Sequence, residues 1–311
     1  MDDPEHNRLR RMVTAPFAMK RVEAMRPAVQ RIADELIDTM LAGPAPADLV
    51  EVFALPLPSL VICGLLGVPY DDHAFFQENS AILINRDVTF DDRMAAHEKL
   101  IGYLDGLMAQ KMAHPADDLL SGLVSRIEAG ELPRLEAARM GVLLLLAGHE
   151  TTANMISLGT LALLQHPDQL AVLRDTDDPK VIANAAEELL RYLTIVHSGI
   201  RRIAKEDIEM GGLTIRAGDG IVFDLHAANW DTEAFPEAER LDLGRPARQH
   251  QAFGYGPHQC LGQTLARLEL QVVYGTLCRR IPTLRLAVPV DQLPFHHTGT
   301  TYGVRCLPVT W

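Results

Sequence analysis

The sequence predicts a mainly α chain of the α+β kind, rich in helix and carrying one small β-sheet. Three observations carry this. Apolar residues recur at helical spacing through most of residues 22–193. Near residue 200 the texture changes to short β-type runs separated by Gly and Pro. A helical run then returns at 261–280, before a Pro-punctuated end of short strands.

In chain order, 22–41 is apolar at helical spacing with charges between, and Gly43-Pro44 stops it. Residues 57–66 form a short buried helix ended by Gly67 and Pro69, and 71–84, 91–112 and 118–129 are amphipathic helices. The longest helix, 135–165, ends at His166-Pro167 and rises roughly 45 Å at 1.5 Å per residue. It is apolar on nearly every face, which places it centrally. A helix at 180–193 follows. Residues 203–210 and 213–215 form a hairpin around Gly211-Gly212, and 216–219 turn into a strand at 221–225. With no internal repeat or low-complexity linker, 1–311 is expected to be a single domain.

A chain of 311 residues that is 48% hydrophobic can bury a large core. Its net charge of −12 repels phosphate backbones, and no basic run carries interleaved aromatics, so nucleic-acid binding is not expected. Four scattered cysteines, Cys63, Cys260, Cys278 and Cys306, do not make a disulfide framework and include no CxxC pair. They suit a reducing, cytoplasmic setting. The polar start lacks a signal-peptide core, and the longest apolar stretch, 142–147, is too short to span a bilayer. A soluble monomer is expected, with no membrane partner.

The most informative stretch is Phe253-Gly254-Tyr255-Gly256-Pro257-His258-Gln259-Cys260-Leu261-Gly262. Gly254 and Gly256 allow a tight loop, and Cys260 stands just before a helix, whose unpaired N–H groups and dipole favour a thiolate. Gly262 leaves room for a flat ring near the backbone. A thiolate offered alone suits a metal whose other ligands come from a macrocycle. By itself such a cysteine also reads as a buried structural residue, and a zinc site on His258 and Cys260 needs two further ligands that the sequence does not place.

This stretch resembles the haem-binding signature of the cytochrome P-450 superfamily, Phe-Gly-x-Gly-x-His-x-Cys-x-Gly, at every fixed position. The resemblance implies haem b (iron protoporphyrin IX) as cofactor, with Cys260 as the metal ligand and Phe253, Gly254, His258 and Gly262 around it. Further motifs agree. Ala147-Gly148-His149-Glu150-Thr151-Thr152 interrupts the long helix and resembles the family's oxygen-activation motif, which gives Glu150 and Thr151 the role of acid–alcohol pair delivering protons. Ala147 and Gly148 would lie against the cofactor, and Thr152 would be a packing neighbour. Glu188-Leu189-Leu190-Arg191 resembles the Glu-x-x-Arg pair, with Arg240 as the expected third member of a structural ion network. His6 and Arg10, four apart, resemble the family's propionate-holding His-x-x-x-Arg, and Arg202 and His258 match further propionate partners.

The resemblance implies a monooxygenase that inserts one atom of O2 into a hydrophobic small molecule of macrolide, terpenoid or xenobiotic type, as in soluble actinobacterial members. Its electrons would come from a ferredoxin and an NAD(P)H-dependent reductase. Arg8, Arg10, Arg11 and Arg267 are candidates for the docking patch. By position, Leu143, Leu146, Ala147, Ser198, Ile200 and Thr301 are the expected substrate contacts. The His-x-x-x-Arg helix begins at residue 6, whereas in family members it lies well inside the chain. The expected fold is therefore the cytochrome P-450 fold without its N-terminal strands and pocket-roof loop, leaving an unpaired sheet edge and a less selective pocket. Two rivals stand beside this reading: a peroxide-using or phenol-coupling haem-thiolate enzyme, and a catalytically silent haem-binding fragment.

Overall fold

The computed structural model describes residues 1–84, 88–296 and 301–311, and among them eleven α-helices are arranged about one long central helix. The first seven are α1 (Glu5–Thr14), α2 (Met19–Ala24), α3 (Arg26–Ala42), α4 (Pro56–Leu66), α5 (His73–Ile84), α6 (Phe90–Ala113) and α7 (Leu119–Glu128). The central helix is α8 (Arg134–Gln165), followed by α9 (Pro167–Arg174), α10 (Pro179–Leu193), α11 (Leu225–Asn229) and α12 (Gln263–Arg280).

Helix α8 lies where its apolar circumference predicts, and every residue from Thr152 to Leu163 is buried. Its neighbours approach closely at glycines. A Cβ on Gly148 would sit 2.8 Å from the Ile62 side chain of α4, and one on Gly159 would overlap the Tyr274 hydroxyl of α12. That hydroxyl donates to the Met155 carbonyl of α8 at 2.6 Å, so α12 is fixed to α8 by a hydrogen bond that a side chain at 159 would break. The expected interruption at the Gly148 motif is absent, and α8 runs unbroken. The Thr151 hydroxyl does bond back one turn, to Ala147 O at 2.9 Å, without opening the helix.

The departures from sequence expectation have local causes. The helix expected at 22–41 is two helices, because Pro27 cannot donate into a continuing turn and starts α3 instead. The strand expected at 221–225 ends at Phe223, since Asp224 caps α11 by accepting the Ala227 N–H at 3.0 Å.

In place of one small sheet, four separate antiparallel ones form among the described residues. Strands β1 (Ala47–Asp48), β9 (Pro308–Thr310) and β6 (Arg285–Leu286) make the three-stranded sheet, in that order. The others are pairs: β2 (Ile200–Ile203) with β5 (Gly220–Phe223), β3 (Ile208–Met210) with β4 (Leu213–Ile215), and β7 (Phe295–His296) with β8 (Gly303–Val304). The hairpin closes on Gly211-Gly212 as expected but starts at Ile208. Residues Ile200–Ile203 pair with β5 instead.

A buried ion network fixes α10 to the irregular chain after α11. Arg191 and Glu188 are both fully buried, with Nε and Nη2 of Arg191 donating to Glu188 at 2.8 and 2.9 Å. The expected third member, Arg240, is exposed and pairs with Glu237 at 3.7 Å. Arg245 takes its place: its Nε lies 3.2 Å from Glu188 Oε1, and its side chain is 10% exposed. Arg240 contributes only its carbonyl, which accepts from Arg191 and Arg245.

Replacing Arg245 with Ala is expected to lower unfolding free energy by about 2–3 kcal/mol, short of a fully orphaned charge because Arg191 stays on Glu188. Arg240→Ala should leave it unchanged within about 0.5 kcal/mol. Urea denaturation of the two variants side by side measures the difference.

Candidate active site

The chain around Cys260 has no regular structure, yet its backbone is tied down. The Cys260 N–H donates to Phe253 O at 2.9 Å, the Gln259 N–H to Gly256 O at 3.0 Å, and Arg10 Nη2 to Gln259 O at 2.7 Å. Gly254 and Gly256 have φ of +68° and +80°, the left-handed backbone that lets the loop reverse without strain. Helix α12 begins three residues after Cys260.

The Cys260 side chain opens onto a cavity of about 720 Å³ bounded by α1, α8, the Cys260 loop and the start of α12. Burial pushes the thiol above its ordinary range. Contacts with the backbone at Gly262 and Gln263 and the charges of Arg10 and Arg267 pull it down, but burial wins. The expected thiolate-favouring environment is therefore only half present in the protein alone. A coordinating metal deprotonates a thiol outright.

Of the residues singled out from the sequence, this one cavity brings together His6, Arg10, Leu143, Ala147, Gly148, Thr151, Ile200, Phe253, Gly254, His258, Cys260 and Gly262. Others lie outside its lining. Leu146 packs into the core one step round α8, and Met140 and Leu144 line the cavity in its stead. Ser198 is not in the wall. Arg202 is exposed and donates to Arg201 O. Thr301 is buried behind the wall, where it accepts from Asn154 Nδ2 at 3.2 Å and donates loosely to Glu150 Oε1 at 3.5 Å. Glu150 also stands behind the wall. Burial raises its carboxyl above the usual glutamate value, against a smaller opposing effect of the Thr301 bond.

The expected arginine docking patch is not a common surface. Arg8 is engaged by Glu5 and Glu136, Arg10 faces the cavity, and Arg267 is held by Glu187, which leaves Arg11 exposed.

Several site residues escaped sequence reasoning. Phe17, Ile62, Met155 and Leu265 line the cavity from four different helical segments, which no local spacing announces. Glu269 also lines it, fully buried, with Oε2 lacking any partner and its carboxyl pushed well up by burial. An acid inside the apolar run of α12 was the available signal.

The cavity fits haem. Its wall is mainly apolar, one thiol lines it, and a Cβ built on Gly262 would approach nothing nearer than Phe17 at 4.0 Å, so the glycine leaves an open face. One side carries His6, Arg10 and His258. There His6 Nδ1 is buried without a hydrogen bond, and the His6 and His258 rings lie 4.0 Å apart. This side already receives carboxylates: Asp2 Oδ1 lies 3.2 Å from His258 Nε2, and Asp3 Oδ1 lies 3.5 Å from His6 Nδ1. A flat apolar ring that carries two acidic side chains and takes a thiolate ligand would fit this arrangement. Among the described residues no three His, Cys, Asp or Glu side chains gather as metal ligands, so the zinc alternative gains no further ligands. No helix among them is long and apolar enough to cross a membrane.

Comparison with known proteins agrees. The family model described as Cytochrome P450 matches residues 1–284. Cytochrome P450 GfsF of Streptomyces halstedii is 60% identical across the whole chain, which covers 75% of that protein. Its crystal structure superposes with a TM-score of 0.96, over 100% of this chain and 79% of that one. Cytochrome P450 CYP105Q4 of Mycobacterium marinum is 57% identical over all of this chain and 75% of its own length. The mycinamicin VIII C21 methyl hydroxylase of Micromonospora griseorubida, solved bound to mycinamicin VIII, is 47% identical with a TM-score of 0.94, over 100% of this chain and 79% of that one.

The raised Glu150 carboxyl has a consequence for stability. The folded state holds this proton more tightly than the unfolded chain, so folding is penalised progressively as pH rises above the ordinary glutamate value of 4.5. Glu150→Gln, which cannot ionise, should therefore gain in urea midpoint over the parent as pH rises from about 4 to 8, and match it most closely at the acid end.

Proposed function

Because this chain belongs to the cytochrome P450 family of haem-binding oxidoreductases, we propose that it is a monooxygenase in which Cys260 is the iron ligand and residues 1–311 act as one haem-thiolate unit. The observation that carries this is the meeting of the Cys260 sulfur and the Thr151 hydroxyl in one mainly apolar cavity. When bound there, haem supplies the iron at which O2 is reduced and cleaved, one oxygen atom going to substrate and the other to water.

The chain's own residues do the rest. Cys260 would give its thiolate to the metal, with nearby backbone N–H groups and Arg10 steadying the charge. His6, Arg10 and His258 would hold the two acidic groups of the ring, whereas Arg202, outside the lining, would have to leave the Arg201 carbonyl to join them. Glu150, whose carboxyl burial raises above its ordinary value, is the proton reservoir. Thr151, in the wall one residue on, presents the hydroxyl through which that proton enters the cavity. The apolar wall excludes water that would drain protons and electrons away.

The substrate is a hydrophobic small molecule of the secondary-metabolite or xenobiotic kind. Leu143, Ala147 and Ile200 in the wall support this, as does the relative named for hydroxylating mycinamicin VIII. The electrons come from a ferredoxin and its NAD(P)H-dependent reductase. Because Arg8, Arg10 and Arg267 are otherwise engaged, Arg11 is the arginine of the original set that remains for that contact.

Two spectra and one assay test the reading. The reduced protein with carbon monoxide should show a strongly red-shifted Soret band, and Cys260→Ser should lose it. Thr151→Ala should keep the band while diverting most reducing equivalents into peroxide. Undiminished coupling in Thr151→Ala would assign the proton delivery elsewhere.

A further inference from the structure

Glu187 and Glu188 are consecutive on α10, and both are buried. Glu188 belongs to the Arg191–Arg245 network. Glu187 points elsewhere, and its partners lead to the cysteine loop. Arg267 of α12 forks onto it, Nε to Oε1 at 2.6 Å and Nη2 to Oε2 at 3.1 Å. His250 Nε2 lies 3.0 Å from Oε2, and the His250 side chain is fully buried. The other ring nitrogen, Nδ1, accepts the Ala252 N–H at 3.1 Å, so it carries no proton. That fixes the donor: His250 donates to Glu187 through Nε2–H. Burial alone would raise the Glu187 carboxyl, but the His250 and Arg267 bonds outweigh it and hold the group below its usual value.

Both partners then touch Phe253. The Arg267 guanidinium lies 4.5 Å from the ring centroid, and the His250 ring 5.8 Å from it. The Phe253 carbonyl accepts the Cys260 N–H. An unbroken series of contacts therefore runs from the Glu187 carboxylate through two nitrogen donors to one aromatic ring and on to the backbone of Cys260.

We propose that Glu187 is a positioning residue for the metal site, fixing His250 and Arg267 against Phe253 and so holding the Cys260 sulfur in place. This rests on the reading of Cys260 as the iron ligand. Gln at 187 cannot serve, because one of the two positions facing Arg267 and His250 would become an N–H donor, and His250 cannot change tautomer while Ala252 holds Nδ1. Lys at 267 keeps the charge but loses the fork.

The test compares Glu187→Gln and Arg267→Lys with the parent and with Ile37→Val, a remote core variant that lowers general stability. In the reduced carbon monoxide complex, both brace variants should convert from the red-shifted to the unshifted band about tenfold faster than the parent, the size expected for groups supporting a metal ligand. Their haem reduction potentials should also shift, whereas Ile37→Val should change neither. In the haem-free proteins, amide exchange of residues 253–260 should quicken about tenfold in the brace variants, with α3 and α8 unaffected. Conversion and loop exchange equal to the parent's, or changed only in step with thermal stability as in Ile37→Val, would overturn the proposal. A parent without the red-shifted band would instead remove the Cys260 reading, and the exchange data would still decide whether Glu187 holds the loop.

Discussion

Two adjacent carboxylates sit in the dry interior of α10, and neither can stay ionised there without cations and N–H donors. The long irregular chain between α11 and α12 is arranged around that requirement. Arg245, Asp242 N–H and Arg191 converge on Glu188, while His250 and Arg267 converge on Glu187. Other side chains of α10 and its neighbours complete the arrangement. Asn184 donates to the carbonyls of Leu243 and Arg245, and Gln169 accepts the Leu243 N–H. A segment with almost no secondary structure thus acquires a defined path, and the path ends at Cys260. Cys260 is placed by polar satisfaction, whereas the opposite wall of the cavity is placed by helix packing.

Helix α8 supplies that wall. Its hydroxyl and carboxyl groups reach the cavity or stand just behind it because the helix cannot move: α4 and α12 press against its glycines, and Tyr274 is bonded to its backbone. Rigid placement of Thr151 and Glu150 relative to Cys260 follows from packing that involves none of the three.

The sequence revealed most where information is local. Helix periodicity located α4, α6, α7, α8, α10 and α12 to within a few residues, and the ten-residue cysteine motif located the loop. Local signals were also present where the reading missed. Pro27 marked the division of α2 from α3, and Asp224 announced the cap of α11. What spacing could not supply was partnership across the fold. Arg240 and Arg245 are equally plausible from α10, and only the course of the 235–250 segment decides that Arg245 turns inward. The same holds for Arg267, a surface charge by sequence and a half-buried fork onto Glu187 by structure, and for Leu146, whose neighbour Leu144 takes the cavity face.

The contact between Gly148 and Ile62 also bears on how such a chain can diverge. Two helices meet there with room for only one side chain, so the positions share a single volume. Alanine at 148 requires the Ile62 side chain to give way or to be trimmed, and a larger residue at 62 favours glycine on the other helix. The substitutions are therefore coupled, and the two sites should change together across relatives although they lie 86 positions apart in the chain.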